Sequence, residues 1–165
     1  MMKTILLAAA CTLPVLAAPI GAGAQDNKNA TRTTTTVAGI QYRDCAVELP
    51  GQPPGPCGGT GIIYTILPQG RVMVSVPLRD GALLAFVASA DKQVRPEDYV
   101  MYLSHLRLTR NGQNQTQEVS GTCQAAMSPD GKIWLNVTCE ATDAARRVVR
   151  LRMTGNGTPA EVVRG

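Results

Sequence analysis

Apolar and polar residues alternate most clearly in GIIYTILPQGRVMVSVPL, residues 61–78. Val72, Val74 and Val76 fall on one face, Arg71, Met73 and Ser75 on the other, as a strand with a two-residue side-chain period requires. Pro68-Gln69-Gly70 divides the stretch. Proline presets the first turn position and glycine supplies the left-handed one, so the pattern predicts a hairpin. VAGIQY, from Val37, and ALLAFVA, from Ala82, give two further strands. In GTCQAAMSPDGKIWLNVTC, residues 121–139, Pro129-Asp130-Gly131 marks a second hairpin. With a three-residue loop, Ser128 opposes Lys132 and Cys123 opposes Val137, and a small bulge or a diagonal contact brings Cys139 into disulfide reach of Cys123. Ile133, Leu135 and Val137 then face the core, while Trp134 shares the outer face with Lys132 and Asn136.

Two segments break the alternation. CAVELPGQPPGPCGG, residues 45–59, is too rich in proline and glycine for a helix or a central strand. SADKQVRPED, residues 89–98, reads as a polar connection in which Pro96 can start a short helix over residues 96–104. From Tyr99 to Leu108 the spacing fits both helix and strand. An internal echo favours strand for Leu106–Thr109. Leu67–Val76 resembles Ser128–Val137 position by position, and Leu106–Gly112 resembles Leu151–Gly157, which suggests two related hairpin-containing halves at 59–112 and 121–157.

The amino terminus carries a different signal. Lys3, an apolar run from Ile5, and Ala22-Gly23-Ala24 before Gln25 have the layout of a cleaved secretory leader over residues 1–24. Pro14 and Pro19 interrupt the run, so a membrane span is the weaker reading and none is expected beyond it. Cys11 after three alanines loosely matches a lipoprotein box, but leucine stands one place early, at Leu7. Residues 25–36, QDNKNATRTTTT, are polar and read as a flexible arm before a single β domain over 37–165.

Export changes the meaning of the cysteines. Four of the chain's five follow the leader: Cys45, Cys57, Cys123 and Cys139. In an oxidising compartment they imply two disulfides, with the local pairing Cys45–Cys57 and Cys123–Cys139 favoured among three. Their spacing does not suit structural zinc, and His105, the single histidine, is far from all four in sequence. No metal or cofactor motif stands out. His105 is also the only imidazole base for a serine nucleophile. Ser104 beside it would point to the opposite face of a strand, and no G-x-S-x-G elbow marks another serine. The carboxylates are scattered, and turn or helix-start roles explain several.

The formal charge of +4, or +3 once Lys3 leaves with the leader, is modest and dispersed. With one tryptophan, four tyrosines and one phenylalanine, the chain lacks the interleaved aromatic and basic residues of a nucleic-acid surface. RVVRLR, residues 147–152, places Arg150 and Arg152 outward and Val149 and Leu151 inward. Together with Trp134 these arginines form the expected interaction surface. Four N-x-[ST] sequons, at Asn29, Asn114, Asn136 and Asn156, matter only in a host that glycosylates.

The expected fold is therefore a small all-β, disulfide-stapled antiparallel sandwich or barrel of roughly seven to nine strands. The function it suggests is that of a non-catalytic, exported accessory or interaction protein, periplasmic or secreted, such as a small subunit of a membrane-associated complex with a protein partner in the cell envelope. A binding module for a glycan, lipid or small anionic ligand is the alternative. A secreted enzyme inhibitor that presents the Cys45–Cys57 loop is the second.

Overall fold

The computed structural model describes residues 35–164, so the leader and most of the arm lie outside the described residues. Ten strands follow in order: β1 (Thr36–Glu48), β2 (Gly55–Pro56), β3 (Gly61–Ile66), β4 (Val72–Pro77), β5 (Leu83–Arg95), β6 (Asp98–Arg110), β7 (Gln113–Met127), β8 (Trp134–Thr142), β9 (Val148–Gly155) and β10 (Glu161–Arg164). Eight of them form an antiparallel ring, β1-β3-β4-β5-β6-β7-β8-β9, which closes where β9 pairs with β1. The two short strands lie outside the ring. β10 follows β9 along the amino-terminal half of β1, and β2 pairs with Ala46 and Val47 near its other end. The fold is an up-and-down barrel, in which every ring strand has two partners and no ring edge is left open.

The turns follow from local chemistry. The β3–β4 connection is a single 3-10 turn, Pro68–Gly70, with Gly70 at φ 76° and Leu67 bonded through its N–H to the Arg71 carbonyl. Asn111 and Gly112, at φ 50° and 76°, form the two-residue turn between β6 and β7. Positive φ at both central positions is what a tight hairpin needs, and Asn-Gly supplies it at little steric cost. The Cys45–Cys57 disulfide ties the proline-rich segment back to β1, reinforced by a Cys57 N–H bond to the Cys45 carbonyl.

The expected helix over residues 96–104 is absent. β5 runs on through the polar stretch to Arg95, turns at Pro96-Glu97, and returns as β6 from Asp98. Arg95 and Asp98 form an ion pair across that turn. β6 has a hydrogen-bonded neighbour on each side, so its backbone is satisfied as strand and pairing overrides the ambiguous spacing. Its inward residues are Tyr99, Met101 and Leu103, then Leu106 and Leu108. The register shift around Ser104 changes the parity between the two groups.

The second hairpin also departs from the expected register. Cys123 lies directly opposite Cys139, and Ala125 opposite Val137. The loop spans 128–133, with the Ser128 N–H bonded to the Ile133 carbonyl at 2.8 Å. A bulge then inserts Leu135 between Asn136, which opposes Ala126, and Trp134, which opposes Met127. That one extra residue turns Leu135 outward, where it is 47% exposed, and Trp134 inward, where it is 6% exposed. The echo maps onto matching hairpins, β3–β4 and β7–β8. The first half places β5 between its hairpin and the strand that ends in Asn-Gly, and the second half has no such intervening strand.

Phe86, Ile62, Met101, Leu151, Val74 and the Cys123–Cys139 pair are fully buried and fill the middle of the barrel. An eight-stranded ring is just wide enough for such filling, and two cavities open at its ends. Gly121 permits a close approach beside this disulfide: its φ is 143°, and a Cβ there would lie 2.0 Å from the Glu140 carbonyl oxygen.

Replacing both Cys123 and Cys139 by alanine should lower unfolding free energy by about 3 kcal/mol, as loss of a loop of this length implies. Urea unfolding monitored by far-UV circular dichroism checks this. Gly121→Ala should also lower the midpoint, because the strand must move to relieve the carbonyl clash.

Candidate functional site

Three aromatic side chains from different strands meet at one mouth of the barrel. Tyr64 faces inward from β3 in alternation with Ile62, Tyr99 from the start of β6, and Trp134 from the start of β8, just before the Leu135 bulge. Ring centroids are 5.0 Å apart for Tyr64–Trp134, 6.0 Å for Tyr64–Tyr99 and 6.4 Å for Tyr99–Trp134. The two pairs that involve Tyr99 meet edge to face, a favourable arrangement of ring quadrupoles. Above the rings opens a cavity of about 700 Å³, walled by Ala38, Ile66, Val94, Met127 and Val162.

A polar chain crosses this apolar cup. The Tyr99 hydroxyl donates to Asp91 Oδ2 at 2.8 Å, and the Tyr64 and Tyr99 hydroxyls are 2.6 Å apart. With the Tyr99 proton directed to Asp91, Tyr64 donates to Tyr99. Burial pushes the Tyr99 hydroxyl far above the ordinary tyrosine value of 10.0, and the neighbouring Tyr64 and Asp91 add to the shift. It is therefore a neutral donor throughout the physiological range. At the rim, Arg95 is paired with Asp98, and Lys132 Nζ lies 3.8 Å from Asp130 Oδ2. A hydrogen bond from Ser128 and then the Lys132 backbone N–H hold the Asp130 carboxyl below the usual range.

Gly155 allows this corner to close. A Cβ at that position would lie 1.9 Å from the Trp134 carbonyl oxygen, so the end of β9 can pass the start of β8 only without a side chain.

The opposite mouth has a different character. A cavity of about 470 Å³ is walled there by Leu49, Leu78, Leu84, Leu106, Leu108 and Val149. Its polar rim is internally matched: Arg147 Nε donates to Asp143 Oδ2 at 2.6 Å, and Gln117 Nε2 donates to the same oxygen at 2.6 Å.

The surface expected from Trp134, Arg150 and Arg152 is not assembled. Arg150 and Arg152 lie on the outer face of β9, whereas Trp134 is inside the mouth, because the bulge reverses its side. Arg150 is engaged by its neighbours, donating to Glu140 at 2.9 Å and Glu48 at 3.1 Å. The bond to Glu140, then that to Glu48, raises its pKa. Cys45, Cys57, Cys123 and Cys139 form the two favoured disulfides. His105 Nδ1 is 2.9 Å from Ser104 Oγ, and no carboxylate bonds to the ring among the described residues. Nor, among those residues, do three or more histidines, cysteines or carboxylates gather as metal ligands.

Sequence reasoning did not single out Tyr64, Tyr99 and Asp91. Tyr64 was legible in principle, since it continues the alternation of Ile62 into the core. Asp91 was hidden because its stretch read as a connection when it is strand. No family model, curated protein or solved structure matches the chain.

The buried tyrosine sets a pH dependence. An unfolded chain ionises Tyr99 near the ordinary value of 10.0, while the folded chain keeps it protonated well above that. The unfolded state therefore binds fewer protons above this pH, and stability falls as pH rises through it. Burial raises Tyr42 in the same direction. Denaturant midpoints measured across the alkaline range should fall above pH 10 in the wild-type protein and less steeply in Tyr99→Phe.

Proposed function

We propose that this chain is an exported, non-catalytic barrel that holds a small ligand in its aromatic mouth. The cavity above Tyr64, Tyr99 and Trp134 carries this reading. It combines apolar walls with a few convergent polar groups, the usual composition of a ligand site, and barrel mouths are a preferred location for such sites. The filled middle of the barrel provides a rigid floor. The two disulfides support an oxidising, extracytoplasmic compartment and fix both a ring strand and the central hairpin.

One observation favours a protein partner as the second reading. β10 is bonded to β1 on one side and forms the end of the sheet path on the other, with Val162 55% and Val163 67% exposed. An exposed apolar edge strand is a template for strand addition from another chain. A small subunit of an envelope complex would dock there, beside the mouth.

Native mass spectrometry of the protein purified gently from its own cells separates the two readings. A stoichiometric small molecule that is lost on denaturation, and reduced in Tyr99→Phe, is the expected result. An empty barrel bound to a stoichiometric protein would overturn the ligand reading in favour of the edge-strand one.

A further inference from the structure

We infer that the aromatic mouth selects a small organic cation, an alkylated ammonium headgroup; this rests on the reading of the mouth as a ligand site. The argument begins with charge. Four ionisable side chains other than the two tyrosines line the cavity: Asp91, Arg95, Asp130 and Lys132. Arg95 is engaged by Asp98 and Lys132 by Asp130, and both basic side chains are largely exposed, at 67% and 72%, as Asp91 is also exposed at the rim. Asp91 has no basic partner among the described residues. Its hydrogen bond comes from Tyr99, a neutral hydroxyl that orients the carboxylate without cancelling its charge.

The lining therefore presents one uncompensated negative charge beside three electron-rich rings. Ring faces attract cations through their quadrupoles, and an aromatic corner with an adjacent carboxylate is the arrangement that recognises ammonium groups too bulky or too alkylated to donate hydrogen bonds. The rings come from three strands, and Tyr99 stands nearly perpendicular to both others, at 78° and 82°. They form a corner in place of a flat platform.

Other ligand chemistries fit less well. An anion would meet Asp91 and Asp130 while the nearby basic groups are already paired. A sugar stacked on an aromatic platform needs an open ring face, but Tyr64, Tyr99 and Trp134 are only 8%, 4% and 6% exposed. A compact cluster of methyl groups needs much less ring surface. The net positive charge of the chain points to anionic partners, but the local field of the mouth opposes that expectation.

Trp134 is the single tryptophan of the chain, so its fluorescence reports on the mouth directly. Folded protein is titrated with tetramethylammonium chloride and choline chloride, with sodium chloride at equal ionic strength as control. The neutral isostere 3,3-dimethylbutan-1-ol is the comparison. A saturable change with the two cations is expected, at least tenfold tighter than with the isostere. Asp91→Asn, which keeps an acceptor for Tyr99, should weaken cation binding tenfold or more, and Asp91→Glu should retain part of it. Circular dichroism verifies that both variants are folded. Equal binding of the neutral isostere, or no effect of Asp91→Asn, overturns the cationic assignment. So does saturation by a neutral sugar or a fatty acid with no response to the cations, although the mouth would then still be a ligand site. Silence from every probe, together with an empty barrel in native mass spectrometry, removes the ligand reading as well.

Discussion

Closure of the ring by β1 and β9 is the constraint on which the rest of the molecule depends. Six β1 residues from Tyr42 to Glu48 pair with Arg150–Gly155, joining segments about a hundred residues apart. Without this pairing, β9 and half of β1 would be open edges and the interior would lose a wall. The register is marked on the outer surface. Glu140, Arg150 and Glu48 stand opposite one another on β8, β9 and β1, and Arg150 donates to both carboxylates. Opposite charges directly across neighbouring strands favour that register over slipped ones. Val47, Leu151 and Cys139, aligned across the same three strands, are buried on the inner side.

Closure also determines where ligand chemistry can be placed. Fully buried side chains occupy the middle of the barrel, so any ligand recognition would fall to the ends, and the ends differ. One is lined by leucines and rimmed by matched charges. The other gathers three aromatic rings, a tyrosine pair and an unmatched carboxylate. β10 continues along β1 past the end of β9, so its exposed Val162 borders the aromatic mouth.

Much of the fold was legible from alternation alone. Val72, Val74 and Val76 all point into the core, and Pro68-Gln69-Gly70 turns where the pattern placed a turn. The two local disulfides formed as favoured. Two features were hidden for physical reasons. Residues 89–95 carry no core-facing alternation because all of them are exposed, while the β6 residues opposite include buried Tyr99 and Met101, so pairing with β6 alone makes them strand. A bulge adds one residue without a compositional mark, yet it reverses every side chain beyond it. The Leu135 bulge thus moved Trp134 from the proposed outer patch to the inner cup, and the site was misplaced with it. Arg150 and Arg152 were placed on the correct face, but Arg150 is engaged across the closing strands.

Amide hydrogen exchange across β1 and β9 tests closure most directly. A closed ring protects alternating amides on both sides of β1, so residues 42–48 and 150–155 should exchange as slowly as those of the central β7–β8 hairpin. Rapid exchange confined to β1 and β9 would show an open sheet, and with it neither mouth would exist as described.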